Sequence, residues 1–260
     1  MMHPVERFHR LHVPGDPILL PNAWDLPSAR VLERSGFDFI GTTSLGVSAV
    51  AGKSDGTGSA RDETVDLARL LGRLGAGVTV DIEAGFDDDP AVVADLVAEL
   101  ASFGIVGVNI EDGRPDETLA PVELQVQKIE AIRLAAPVFF INARTDPYWV
   151  KQDDDSFSVA LERALRYCDA GADGIFVPGV SESGVIADLA EAVPAPLNIL
   201  YQPGGPTVLD LARLGVARVS CGSLLFRGAL GAIEALAADI RSGRQVSGAG
   251  IPSYSALQSW

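Results

Sequence analysis

The stretch Asp169-Ala170-Gly171-Ala172-Asp173-Gly174-Ile175 ends a helical pattern on a glycine and begins a β-prone apolar run straight after it. A glycine just past a helix adopts the left-handed conformation that closes the last turn, so the chain is extended again within a few residues. The phrase has three counterparts: Arg34-Ser35-Gly36-Phe37-Asp38-Phe39-Ile40, Ser102-Phe103-Gly104-Ile105-Val106-Gly107-Val108 and Arg213-Leu214-Gly215-Val216-Ala217-Arg218-Val219. Four short helix-to-strand loops of one kind mark a chain wound from repeated strand–helix units.

Outward from these anchors, apolar runs predict strands at Ile18–Leu20, Phe37–Thr42, Gly77–Asp81, Val106–Ile110, Val138–Asn142, Gly174–Val177, Leu197–Leu200 and Ala217–Ser220. Amphipathic spacing predicts helices at Pro27–Ser35, Asp62–Leu74, Pro90–Phe103, Pro121–Ala135, Phe157–Ala170, Gly184–Ala192, Val208–Leu214 and Leu224–Ser242. Pro90 and Pro121 suit a first helical turn, where a missing N–H costs nothing. Eight strand–helix pairs in 260 residues fit an α/β (β/α)8 barrel. The alternative, an open doubly wound sheet, lacks the Gly-x-Gly-x-x-Gly turn after its first strand. One domain over 1–260 is expected. Ser44–Ala60 reads as an irregular loop on the strand-to-helix side, and 243–260 as an irregular tail. The tail carries Tyr254, Leu257 and Trp260, which suit either docking on a neighbouring subunit or a frayed end.

Apolar residues make up 47% of the chain, and a mean hydropathy of +0.22 is that of a folded, enzyme-sized protein. The formal net charge of −15 argues against nucleic acid and anionic membranes as partners. It leaves room for anionic substrates, because a local metal and an arginine can invert the field inside a pocket. Two cysteines, Cys168 and Cys221, imply no disulfide framework. The first residues contain charges and no apolar secretory core, and no run approaches the roughly 18–20 apolar residues needed to span a bilayer, so a cytoplasmic location is expected.

The chemistry is expected at the C-terminal ends of the strands, where barrel enzymes place it. Three successive strands end on charge: Val78-Thr79-Val80-Asp81-Ile82-Glu83, Gly107-Val108-Asn109-Ile110-Glu111-Asp112 and Ile141-Asn142-Ala143-Arg144-Thr145-Asp146. Charges there are costly unless paired or bound to a cation. Asp81, Glu83 and Glu111 are therefore expected to converge on one Mg²⁺ or Mn²⁺ ion, since carboxylate oxygens without nearby His or Cys disfavour zinc. Arg144 would face the substrate's anionic group with its two-pronged guanidinium. Other rim candidates are Trp24 and Asp25, Thr43, Ser44 and Asp55, and Asn198. Asp87–Asp89 and Asp153–Asp155 read as helix caps. His3, His9 and His12 precede the first strand, away from the rim.

These residues resemble the isocitrate lyase/phosphoenolpyruvate mutase family. The likeness runs from Leu20-Pro21-Asn22-Ala23-Trp24-Asp25 to Phe176-Val177-Pro178-Gly179. Thr43-Ser44-Leu45 is similar to the family's Ser-Gly-Leu loop, and Gly52-Lys53-Ser54-Asp55-Gly56 to its aspartate-bearing loop. Asp81-Ile82-Glu83-Ala84-Gly85-Phe86 is similar to Asp-x-Asp-x-Gly-Tyr; Ile110-Glu111-Asp112 and Ala143-Arg144-Thr145-Asp146 complete the set. The resemblance implies a Mg²⁺-dependent enzyme acting on a small anionic 2-oxo acid or its enol, and a homo-oligomer, dimer or tetramer, that exchanges its last helix. It also implies roles: Asp81 as the nearest metal ligand, with Glu83 and Glu111 acting partly through water, and Asp55 as an assistant at the metal or on the transferred group. Thr43 hydroxyl and the backbone N–H groups of Ser44 and Leu45 would grip the substrate, and Arg144 would stabilise the enolate.

One departure narrows the chemistry. Lyases of the family carry a Lys-Lys/Arg-Cys-Gly-His loop after the fourth strand; here Gly113-Arg114-Pro115-Asp116-Glu117-Thr118-Leu119 stands there, without Cys, Lys or His. The mutases' gating Lys and Asn are missing too. Three expectations remain: a Mg²⁺-dependent lyase or decarboxylase of a 2-oxo or 2-hydroxy dicarboxylate, an enzyme of P–C bonds (phosphonomutase or phosphonate hydrolase), or a non-catalytic 2-oxo-acid-binding barrel.

Overall fold

The structure, a computed structural model, describes residues 2–150 and 155–258. Asp153 and Trp260, named above, lie outside the described residues. Nine parallel strands form one sheet: β1 (Ile18–Leu20), β2 (Asn22–Ala23), β3 (Phe39–Thr42), β4 (Gly77–Asp81), β5 (Gly107–Glu111), β6 (Phe140–Arg144), β7 (Gly174–Phe176), β8 (Leu197–Leu200) and β9 (Arg218–Ser220). Their order, β1-β9-β8-β7-β6-β5-β4-β3-β2, starts and ends in one stretch of chain. The two short strands flank Pro21, which has no N–H for a ladder. They form a single interrupted staff, and the sheet closes on itself as a (β/α)8 barrel.

Asn22 stitches that seam. Its Nδ2 donates to Thr42 O at 2.7 Å, while its Oδ1 accepts from Cys221 N at 2.9 Å and Gly222 N at 2.8 Å. Strand and bridging side chain meet closely at Gly41, where a Cβ would stand 2.7 Å from Asn22 Nδ2.

The eight predicted helices are present with shifted ends, and four further short helices appear at Pro4–Arg10, Ser44–Val50, Pro147–Val150 and Tyr254–Gln258. Ser44–Ala60 is thus not wholly irregular, nor is the tail. Asp89 caps Pro90–Ser102, accepting from Ala91 N at 2.9 Å. Asp155 precedes Ser156–Asp169 but makes no side-chain cap bond. The sixth strand begins two residues later than predicted, because Phe139 N closes a turn on Ala136 O and Val138 is left exposed. Arg144 therefore belongs to the ladder, in register with Glu111.

The main core lies between barrel and helices and includes Ile40, Val80, Ile110, Ile129, Ile141 and Val219. A second cluster seals the N-terminal end of the barrel. There Phe8, from the first helix, meets Phe39 and Phe140 with ring centroids 4.9 and 5.1 Å away, and His12 stacks on Phe140 at 4.2 Å. His12 Nδ1 lies 2.8 Å from Phe8 O. A carbonyl only accepts, so Nδ1 carries the proton and Nε2 is left buried without a partner. Burial, then the charge of Arg218, push the His12 pKa down to about 3, so the ring is neutral in the fold.

Candidate active site

With one end plugged, the other end opens into a cavity of about 390 Å³. Its wall includes Thr43, Ser44, Leu45, Asp55, Asp81, Glu111 and Arg144, seven of the positions singled out from the sequence. Period-two alternation explains much of this: Asn109 and Glu111 lie on the same side of β5, as do Asn142 and Arg144 on β6. In the register, Asp81 pairs with Asn109 and Glu111 with Arg144.

Arg144 organises the charge. Its Nη1 is 2.5 Å from Glu111 Oε2 and its Nε 2.6 Å from Asp146 Oδ1. Trp149 and Phe176 each present a ring with the guanidinium carbon 5.8 Å from the centroid. Burial opposes its charge, but Asp146 and Glu111 hold Arg144 more firmly protonated than usual. The carboxylates outnumber it. Burial raises Asp81 to about 6 despite the attraction of Arg144, and raises Glu111 well above its ordinary value. Asp81 Oδ1 accepts from Glu83 N at 3.1 Å, and its other oxygen has no partner among the described residues.

Glu83 is placed differently from the expectation. Its φ of +50° turns it toward the loop ahead of Arg61–Leu71, where Oε2 accepts from Gly58 N at 2.8 Å. Oε1 is buried without a partner, and burial raises the carboxyl to about 7. Glu83 lines a neighbouring cavity of about 200 Å³, whose wall shares Glu111, Gly56 and Arg114 with the first. Asp81, Glu83 and Glu111 do not form a ready-made cluster: among the described residues, no three acidic, His or Cys side chains stand together as a ligand set. Glu83 is drawn to the loop amide and Glu111 to Arg144. The donors still fit a hard divalent cation, because Asp81 keeps an unpartnered oxygen on the cavity and Glu83 a buried orphaned one.

Three expected substrate contacts do not line the cavity. Trp24 packs edge-on against Phe226, centroids 5.2 Å apart, and beneath Gly46, where a Cβ would be 2.6 Å from Trp24 Cβ. Asp25 caps Leu26–Arg34 in a reciprocal box with Ser28, its Oδ1 2.7 Å from Ser28 N. Asn198 is buried, pairs in register with Phe176 and Arg218, and accepts from Ser220 Oγ at 3.2 Å.

Conversely, Asn22, Asn109, Arg114, Glu117, Asp146 and Trp149 also line the cavity. Asn109 could have been found by the two-residue period from Glu111. Arg114 and Glu117 come from the short loop after β5, folded into a hairpin by a Gly113–Leu119 bridge and an Arg114 N to Thr118 O bond of 2.9 Å. Arg114 is anchored to Asp88 at 3.0 Å, and Glu117 takes φ +59°.

A closed parallel barrel with a carboxylate-rich, arginine-centred cavity at the C-terminal strand ends defines an enzyme of the (β/α)8 class. The chain belongs to the phosphoenolpyruvate phosphomutase family, whose pattern residues 8–241 match. An uncharacterized protein of Mycobacterium tuberculosis is 45% identical over 92% of this chain and 90% of its own. A probable 2-methylisocitrate lyase of Corynebacterium glutamicum is 30% identical, covering 85% of this chain and 76% of the relative. Among solved structures, a putative phosphonomutase from Burkholderia cenocepacia superposes with a TM-score of 0.86 at 35% identity, over 91% of this chain and 99% of that one. No helix among the described residues is long and apolar enough to cross a membrane.

Proposed function

We propose that this chain is a divalent-metal-dependent lyase that cleaves a C–C bond of a small 2-oxo or 2-hydroxy dicarboxylate through an enolate. The observation that carries the reading is Arg144 between Glu111 and Asp146, beside the unpartnered Asp81 oxygen in one cavity. C–C cleavage next to a carbonyl leaves a pair of electrons that must spread onto an oxygen, and positive charge held in a cavity away from bulk water stabilises that oxygen. Mg²⁺ or Mn²⁺, when bound, supplies Lewis-acid charge at the enolate oxygen; Asp81 would hold it, with Glu83 and Glu111 acting partly through water.

Arg144 orients the substrate's anionic group and balances the growing charge. Thr43 hydroxyl, with the backbone N–H groups of Ser44 and Leu45, binds a carboxylate or oxo oxygen on the opposite wall. Asp55, on the loop over the cavity, assists near the reacting carbon. The hairpin of Arg114 and Glu117 stands where the resemblance puts the family's Cys loop, which is why we favour release of an enolate that needs little positioned acid. The expected homo-oligomer is retained: Leu224–Arg241 buries only Phe226 and exposes Leu230, Ile233 and Ile240.

The second reading, P–C bond chemistry, is favoured by the phosphonomutase likeness at 35% identity. Product analysis with Mg²⁺ separates the two, pyruvate being followed by a coupled dehydrogenase and phosphoenolpyruvate or inorganic phosphate being followed for the phosphonate. Turnover of oxaloacetate or of 2-hydroxy dicarboxylates, abolished by a chelator, is expected; turnover of phosphonopyruvate alone would replace the first reading by the second. A chain that binds 2-oxo acids and turns over nothing on that panel would be a binding barrel.

A further inference from the structure

Below the rim, the barrel interior carries a buried polar layer that the reading above does not use. Arg218 on β9 is fully buried, and burial pulls its pKa down to about 9 even though Asp81 opposes the fall. Its one hydrogen bond among the described residues runs from Nη2 to Asn109 Oδ1 at 3.0 Å; Nε and Nη1 have no partner there. Such a residue is expensive where an apolar side chain would pack more cheaply. What it accomplishes is visible in Asn109.

A guanidinium only donates, so the Asn109 atom facing Arg218 must be the carbonyl oxygen. Asn142 Nδ2 donates to the same oxygen at 2.9 Å. Two donors from two strands therefore fix the orientation of the Asn109 carboxamide, and its NH₂ end is turned away from both. That end donates to no described protein group, although Asn109 is buried and lines the cavity beside its register partner Asp81. A fixed, unspent donor in a cavity floor is a ligand-binding group, because its geometry costs nothing at the moment of binding.

We propose that Asn109 Nδ2 is a substrate-binding donor that takes a carboxylate or carbonyl oxygen of the substrate at the cavity floor, with Arg218 as the residue that positions it. The proposal rests on the 2-oxo-acid reading and deepens it. The substrate is gripped from above by Arg144, and its lower end carries an acceptor oxygen rather than a methyl group or an ammonium.

Two substitutions separate binding from packing. Asn109→Asp keeps an oxygen for Arg218 and Asn142 but removes the donor. Asn109→Ser adds no charge and leaves only a short hydroxyl, withdrawing the donor from the place where Nδ2 stands. Calorimetric titration with oxalate in Mg²⁺, a planar stand-in for an enolate, is expected to show affinity at least about tenfold weaker in both variants. Their melting transitions should stay cooperative, and Mg²⁺ binding to Asn109→Ser should stay within about threefold of the unaltered chain. If Asn109→Ser fails to fold, the uncharged Asn109→Ala takes its place. Oxalate affinity within threefold of the unaltered chain in a folded variant would overturn the role of Asn109 while leaving the enolate reading intact. No oxalate binding by the unaltered chain would remove that reading, and this one with it.

Discussion

Glu111 and Asp112 adjoin in the chain, yet β5 sends one carboxylate into the cavity and the other back into the layer between strands and helices. Asp112 is saturated: it accepts from Tyr167 OH at 2.7 Å, Thr145 Oγ1 at 2.8 Å, Asp146 N at 2.9 Å and Arg163 Nη1 at 3.0 Å. Among the described residues Glu111 has the single partner Arg144, which it shares with Asp146, and burial raises its pKa. Both groups are charged residues withdrawn from water. The difference is how completely the protein itself answers their charge. A saturated carboxylate is scaffold; one left short of donors is held ready for something that arrives from outside.

That contrast can be broken from either side. The largest effect on stability is expected on the saturated side. Asp112→Ala leaves Arg163 and Tyr167 facing each other without their shared acceptor, and should cost about 3–5 kcal/mol in denaturant unfolding. On the cavity side the effects should reverse in kind. Asp81→Asn keeps an acceptor for Glu83 N and removes one carboxylate from a crowd, so its melting temperature should equal or exceed that of the unaltered chain. Turnover should nevertheless fall about 10²–10³-fold, the loss typical of removing one stabilising group from a preorganised site. An Asp81→Asn variant that unfolds readily, or that turns over normally, would erase the distinction.

A third effect, spread over several pH units, belongs to the plugged end. Neutral His12 has a folded pKa of about 3, below its ordinary value of 6.5. Between those two values the unfolded chain binds a proton that the folded chain refuses. The contribution is therefore intact above pH 6.5 and is lost as pH falls, by at most about 1.4 kcal/mol per pH unit, levelling off near pH 3. His12→Phe should remove this part of the slope. Equal slopes in the two proteins below pH 6 would show that His12 is charged or open to solvent in the fold.

Much of this was legible in the sequence. The glycine-ended helices gave the winding, and charges at successive strand ends gave Asp81, Glu111 and Arg144 on one cavity. What stayed hidden were features set by three-dimensional closure. Pro21 splits the first staff, but only the closed barrel shows Asn22 bridging both neighbours. Short helices such as Ser44–Val50 are one or two turns of packing, too brief for periodicity to reveal. A strand-end place in sequence points to Trp24, Asp25 and Asn198, whereas the fold uses Asp25 as a helix cap and pairs the Asn198 oxygen with the Ser220 hydroxyl. Glu83 follows Asp81 by two residues, but a left-handed backbone turns it aside. Asn109 was overlooked because an amide carries no charge to draw attention.

The central claim is that the cavity around Arg144 and Asp81 binds an enolate-like dianion together with a divalent cation. Calorimetric titration of the unaltered chain with oxalate, with Mg²⁺ and again with a chelator, tests it most directly. The account predicts saturable one-to-one binding that requires Mg²⁺. Oxalate binding of equal strength without the metal, or none in its presence, would contradict it.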